Sequence, residues 1–323
     1  MHAFLKPALM ALALSAAGTA LAANADFPQR TITLICSAAA GGTTDLAARL
    51  IAEPLSKALG QPVVVENRPG ASGGLAAQAV ARAKPDGYTM LLQYSGYQVI
   101  TPAIVKNLNW DPIKDFAPVA NVLSAPQVVV VNSALPIKSL KELVAYAKAN
   151  PNKLNYASSG NGSLQQVATE LLKMQAGIEI THIPYKGTGP ALTDLLSGTV
   201  DMTITTPPPL MGHIQSGKLR ALAVTDTKRL ESLKNVPSAP EAGFPDLDVS
   251  SWFAMYAPAA TPQPIIDKVA AEIGKIMRTD AFKQKAAELG AEAKFMGPQE
   301  LGAYTRSELD RWSAVVKAAN IQE

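Results

Sequence analysis

The residues of this chain best suited to chemistry are small ones, clustered at two strand-to-helix junctions. The first is Ser37-Ala38-Ala39-Ala40-Gly41-Gly42-Thr43-Thr44-Asp45, between the apolar run Ile32–Cys36 and a segment carrying Leu46, Leu50, Ile51 and Leu55 at helical spacing. The second is Ser158-Ser159-Gly160-Asn161-Gly162-Ser163, between a strand ending at Ala157 and the amphipathic run Leu164–Met174. A helix that starts on such a turn leaves its first N–H groups without intrahelical acceptors and aims the positive end of its dipole the same way. Gly41 and Gly42 lack a Cβ, so a guest can approach that backbone closely. Thr43, Thr44 and Asp45 are expected as caps. The chemistry this suits is the holding of a carboxylate or phosphate. One Gly-Gly pair is equally compatible with a plain tight turn. Two such units, each presenting an anion-ready helix start, point to two lobes facing one cleft.

Enzyme chemistry finds less support. Gly160-Asn161-Gly162 has Gln165 where a dinucleotide-binding turn places its third glycine, and neither turn carries the Gly-Lys-Ser/Thr of a phosphate-binding loop. His2, His182 and His213 are the only histidines, and none has metal-ligand spacing or a cysteine companion. Ser158 or Ser163 as a nucleophile lacks an evident base. No catalytic residue, cofactor or metal is therefore expected.

Around these turns the chain must supply two cores, and its 323 residues are enough for both. The net charge of +3 is small and unclustered, and the sparse aromatics are not interleaved with basic residues, which argues against nucleic-acid binding. Lys6, the apolar run Ala8–Ala17 and the small residues Ala20-Leu21-Ala22 read as a signal peptide over residues 1–22, with Ala25 as a second cleavage option. The run is short and alanine-rich for a membrane span. The expected mature protein is exported, soluble and monomeric. Cys36, the single cysteine, cannot form an internal disulfide and is expected to be buried in the first strand.

The elements that position the turns follow in order. Strands are expected over Val63–Glu66, Tyr88–Tyr94, Phe116–Leu123, Gln127–Asn132, Ile178–Ile183, Val200–Thr205, Leu219–Thr225 and Ser250–Pro258. Helices are expected over Leu75–Ala83, Leu140–Ala149, Ala191–Leu196, Pro264–Arg278, Asp280–Leu289 and Pro298–Ala319, and Gly60 and Gly177 end the two helices that follow the turns. Ser139 with Glu142 forms a capping box. Pro102–Asp115 reads as irregular. Ser95, after one strand, and Thr206, before Pro207-Pro208-Pro209, should open on the cleft side. Alternating elements predict an α/β protein with open, mostly parallel sheets, which bind ligands beyond the strands' carboxyl ends. The chain leaves the first lobe near Ser124 and returns near Ser250, so residues 26–125 and 250–323 make lobe one and residues 126–249 lobe two. Two crossings form a hinge that permits closure.

Several stretches together resemble one family. They are Ser37–Asp45, Glu66-Asn67-Arg68-Pro69-Gly70, Lys84-Pro85-Asp86-Gly87-Tyr88-Thr89, Tyr156–Gly162, Pro184-Tyr185-Lys186-Gly187, Pro190–Leu196, Gly217–Ala223 and Ser251-Trp252-Phe253. In this order, over nearly the whole mature chain, they resemble the extracytoplasmic solute receptors of tripartite tricarboxylate transporters, also called Bug receptors. The resemblance implies a two-lobe periplasmic-binding-protein architecture that closes on a small carboxylate and hands it to membrane permease subunits. A periplasmic sensor for a membrane signalling partner would use the same site. Carried over, the ligand contacts fall on Ala40, Gly41, Gly42, Thr43, Thr44 and Asp45, and on Ser158, Ser159, Gly160, Gly162 and Ser163. Ser95, Gln166 and Thr206 complete the expected set. Two departures stand out. Ser37, Ala38 and Ala40 replace the family's Pro-Phe and further Pro, which should widen the lobe-one wall. Gln165 and Gln166 stand where a histidine is usual, which removes a titratable group. Both favour a larger or aromatic mono- or dicarboxylate, with Tyr94, Tyr97 or Trp252 as possible wall residues.

Overall fold

The computed structural model describes residues 27–318 and 321, so the expected signal peptide with both cleavage options, residue 26 and Ala319 lie outside the described residues. Strands β1 (Ile32–Cys36), β2 (Val63–Asn67), β3 (Thr89–Tyr94) and β4 (Phe116–Pro126) come first. Then follow β5 (Val128–Asn132), β6 (Asn155–Ser158), β7 (Thr181–Pro184), β8 (Met202–Thr205) and β9 (Leu219–Val224), and β10 (Ser250–Pro258) comes last. They build two five-stranded sheets, ordered β2-β1-β3-β10-β4 and β7-β6-β8-β5-β9, each flanked by helices. The two-lobe α/β architecture is thus the expected one, and each sheet is mixed, with a single strand, β10 in one and β5 in the other, running against the rest. β1 is parallel to β2 and β3, and β6 to β7 and β8, whereas β10 runs against β3 and β4, and β5 against β8 and β9.

The crossings cause the mixture. β1, β3, β6 and β8 end at the cleft. A strand that enters a lobe from its neighbour starts at the cleft and must run away from it. Only Gln127 lies between β4 and β5, and β10 enters the first sheet from the long loop that follows β9.

Local chemistry explains the elements around the turns. All five residues of β5 are buried, which suits β-branched valines covered on both faces. The helices Thr43–Leu59 and Leu164–Ala176 both stop at glycines in the left-handed region, Gly60 (φ 70°) and Gly177 (φ 62°). Ser139 caps its helix by accepting from the Glu142 N–H, but the Glu142 carboxylate takes the Lys138 N–H at 2.7 Å instead of closing the box on Ser139. Cys36 is fully buried, and burial pushes its thiol up to about 12. One element runs against the sequence reading: Gly96–Ile100 forms a π-helical turn that continues as the helix Thr101–Ile104. Gly96 permits it, since a Cβ there would lie 2.7 Å from the Leu164 nitrogen of the other lobe.

Candidate functional site

The helix Thr43–Leu59 begins at Gly42 with no side-chain cap. Neither Thr43, Thr44 nor Asp45 takes the expected capping role, because all three lie inside the first turn. Asp45 folds back instead and accepts from the Gly41 N–H at 3.0 Å, from Arg49 Nε at 3.1 Å and from Asn67 Nδ2 at 3.0 Å. Burial works to raise its carboxyl, but the Arg49 guanidinium and the Gly41 and Asn67 amides outweigh that and hold it below the usual carboxylate range. Asp45 is therefore an internal brace, and it uses up the Gly41 amide. The first-turn amides around Thr43 and Thr44 are left to the cleft.

The second turn differs from expectation. Ser163 caps its helix by accepting from the Gln166 N–H, and Gln166 Oε1 accepts from the Gly162 N–H at 2.8 Å. The Gly160 N–H goes to Ser158 Oγ, and the Leu164 N–H goes to Tyr94 OH. Most of this helix start is satisfied within its own turn, and its Leu164 N–H is taken by a hydroxyl of lobe one. The uncapped start in lobe two is a third one, the helix Thr188–Ser197 with Gly187 before it. It sits directly against the first turn, where a Cβ on Gly42 would meet the Gly189 nitrogen at 3.4 Å. The spacing Gly187-Thr188-Gly189 ahead of an amphipathic run was the available signal.

Hydroxyls and amides from both lobes converge between these two starts. Thr43 Oγ1 and Thr206 Oγ1 are 2.5 Å apart. Gln165 donates to Thr188 Oγ1 and Thr205 Oγ1, both at 3.1 Å, and accepts from Ser159 Oγ and Tyr94 OH. Tyr97 OH donates to the Ser159 carbonyl, and burial pushes that phenol up to about 12. The central cavity, lined by Gly42, Thr43, Thr44, Ser159, Thr188 and Thr206 among others, measures about 10 Å³. That is room for about one water, so the lobes are closed on each other.

Not every expected residue reaches this centre. Ala40 and Gly41 lie on the exposed rim. Ser95 Oγ instead accepts from the Trp252 N–H and stitches β3 to β10. Gly162, Ser163 and Gln166 shape the second turn, and Gly160 lines a neighbouring cavity. Ser158 has the partner the sequence did not reveal, His182 Nε2 at 2.6 Å. Burial pushes His182 down to about 4, so it stands neutral, stacked on Tyr156. Ser158 itself is 1% exposed, which keeps this pair away from a substrate. A further motif, Gly70-Ala71-Ser72-Gly73-Gly74, has the Gly-x-Ser-x-Gly spacing of a nucleophile elbow. Its Ser72 Oγ donates across the cleft to the Asn161 carbonyl, and no histidine or carboxylate is bonded to it among the described residues.

Ser37 and Ala38 are buried, and the space beside them is taken by Tyr94 and Tyr97, edge to face at 5.1 Å, with Phe253 stacked on Tyr94 at 5.7 Å. Trp252 is no wall residue, since it packs in the lobe-one core against Tyr304. A larger cavity of about 350 Å³ adjoins the centre and shares Tyr97 and Ser159 with it. Among the described residues no cluster of histidine, cysteine or carboxylate side chains could hold a metal ion, and no helix is long and apolar enough to cross a membrane.

Residues 47–321 match the family described as tripartite tricarboxylate transporter family receptor. The chain is 36% identical to the protein BugT of Bordetella pertussis over 312 residues, 96% of either chain. It is similar in structure to R. palustris Rpa4515 with adipate (38% identity, TM-score 0.90, covering 92% of this chain and 99% of that one). It is also similar to MatC of Rhodopseudomonas palustris with bound malate (34% identity, TM-score 0.85, covering 90% and 100%).

Proposed function

The chain belongs to the tripartite tricarboxylate transporter receptor family, and from that premise we propose that it is a periplasmic receptor that closes on a small carboxylate and delivers it to a membrane permease. The observation that carries the reading is the meeting of two uncapped helix starts, Gly42–Thr44 and Gly187–Gly189, across a cleft rimmed with hydroxyls. Each start favours an anion by about 0.3–1 kcal/mol, and up to roughly 2 when partly buried. Hydrogen bonds to a charged group add roughly 1.5–3 kcal/mol each. A few of these, less ordering costs, reach about −8 kcal/mol, or micromolar affinity, without a buried arginine. Gly42, Thr43, Thr44, Ser159, Thr188 and Thr206 would hold the carboxylate once the lobes part at Pro126-Gln127 and Val249-Ser250. Thermal melting against a panel of carboxylic acids tests this: ligand at 100 times its dissociation constant stabilises by about 2.7 kcal/mol. Finding no stabilising acid, or equal stabilisation by the methyl esters, would overturn it. Loss of uptake of the same acid when the gene is deleted tests the delivery step.

A further inference from the structure

One side-chain amide at the centre of the cleft has its direction set from the opposite lobe. Gln165 is 5% exposed, and its partners Tyr94, Ser159, Thr188 and Thr205 are all hydroxyls, which can give or take a proton. Those partners alone do not say which end of the amide is the oxygen. The Leu164 N–H does. It donates to Tyr94 OH at 3.1 Å, so the phenol must place its own proton elsewhere. Burial pushes the Tyr94 phenol up, so that proton stays on. Its acceptor is the Gln165 side chain, 3.0 Å away, and the amide atom there is therefore Oε1. Nε2 then lies at the other end and donates to Thr188 Oγ1 and Thr205 Oγ1.

Thr205 is fully buried, whereas Thr188 is half-buried and lines the central cavity. Because its oxygen accepts from Gln165, Thr188 keeps its hydroxyl proton, and that proton is not used to cap its helix. Ser159 spends its proton on Oε1, so it meets a guest through its backbone N–H, which has no acceptor among the described residues. With the lobes apart, the remaining three hydroxyls hold the amide equally well either way round. Arrival of Tyr94 selects one orientation. Building on the carboxylate reading of the cleft, we propose that Gln165 is a positioning residue. It passes the donor sense of the Leu164 N–H through Tyr94 to Thr188, so that closure itself commits the Thr188 proton to the guest. A carboxylate accepts that proton, whereas a guest offering a donor at the same place meets a second donor.

Titration calorimetry on the full chain, with succinate, glutamate, citrate and phthalate as probes, tests this on whichever of them binds the wild type. Thr188→Val removes the last hydroxyl and should weaken that probe about tenfold or more, as for one hydrogen bond to a charged acceptor. Gln165→Met removes the direction without adding charge and should cost about as much. The double variant should stay within about twofold of Thr188→Val, where independent roles would multiply to about a hundredfold. At about pH 8 a neutral imidazole offers one acceptor and one donor nitrogen, so Gln165→His should recover most of what methionine loses. A residue that merely fills space gives neither the coupling nor the rescue. Should Gln165→Met fail to fold by circular dichroism, Thr188→Val and Gln165→His still decide. Multiplying losses, unchanged affinity in Thr188→Val, or a folded Gln165→His weaker than wild type by tenfold or more overturns the assignment and leaves the receptor reading standing. Failure of every probe to bind the wild type removes both.

Discussion

Gly189→Ala separates the closed arrangement from mere proximity of the two helix starts. A Cβ on Gly189 would lie 2.2 Å from the Ala40 carbonyl oxygen of the opposite lobe and 3.3 Å from its carbon. Carbon and oxygen seldom approach within about 3 Å, and ordinary contacts are about 3.5–4.0 Å, so the lobes must part by roughly 1 Å. Both partners are backbone, so neither can swing aside. Parting on that scale stretches the 2.5 Å Thr43–Thr206 contact to the limit of a hydrogen bond. Overpacking costs about 1–3 kcal/mol, which weakens any ligand held by the closed form roughly 5–150-fold. The open form accepts the methyl, and alanine is favoured over glycine in a helix by up to about 1 kcal/mol, so folding is preserved. Calorimetry with the acid that stabilises the wild type measures the loss. Gly212→Ala is the control, because nothing lies within 4 Å of a Cβ there and its affinity should be unchanged. Wild-type affinity in a folded Gly189→Ala protein would refute closure of these two turns as the binding state.

Three further outcomes follow from the bonds around the site. Asp45 has its carboxyl held below the ordinary range, so its stabilisation is present above roughly pH 4 and lost as pH falls through the depressed value. Asp45→Asn should lower the melting temperature at pH 7 and flatten that acid limb, and an unchanged melting curve would remove Asp45 as a brace. His182 is pushed down to about 4 from 6.5, so the unfolded chain binds the extra proton between those values and stability falls as pH drops from about 6.5 to 4. His182→Gln should reduce the wild-type difference in melting temperature between pH 7.5 and 5. Ser163→Ala removes a helix cap and should destabilise by about 1 kcal/mol in urea unfolding, with a smaller effect on ligand affinity.

The sequence carried much of the fold because its signals are local. Gly60 and Gly177 end helices where only a left-handed residue fits, Ser139 caps within three residues, and the valines of β5 are unmistakable. What escaped it depends on contacts distant in sequence. Strand direction at β10 follows from where the chain re-enters the lobe, and the π turn at Gly96 follows from the approach of Leu164. At the site, the glycine and serine pattern led to the first turn but, in lobe two, to Ser158–Ser163 and not to the uncapped start at Gly187, and it did not reveal the bonds made there. Whether Ser163 caps its helix, or Asp45 turns back on Gly41, is decided by rotamers that spacing alone does not encode. The partner of Ser158 lies 24 residues away in sequence, on the neighbouring strand.

The closed cleft also says why the proposed guest should be a charged one. Its polar groups already satisfy one another: Thr43 with Thr206, Tyr97 with Ser159, Tyr94 with Gln165, Ser72 with Asn161. Any ligand must break some of these neutral bonds, each worth about 0.5–1.5 kcal/mol net. A neutral guest that replaces them one for one gains almost nothing and still bears the cost of being ordered. A carboxylate exchanges them for charge-assisted bonds of roughly 1.5–3 kcal/mol and adds the attraction of two helix starts that no side chain caps. A ligand shifts a conformational equilibrium only by its differential affinity for the two states. In this cleft the differential comes from charge, because the neutral hydrogen bonds are already made without a guest.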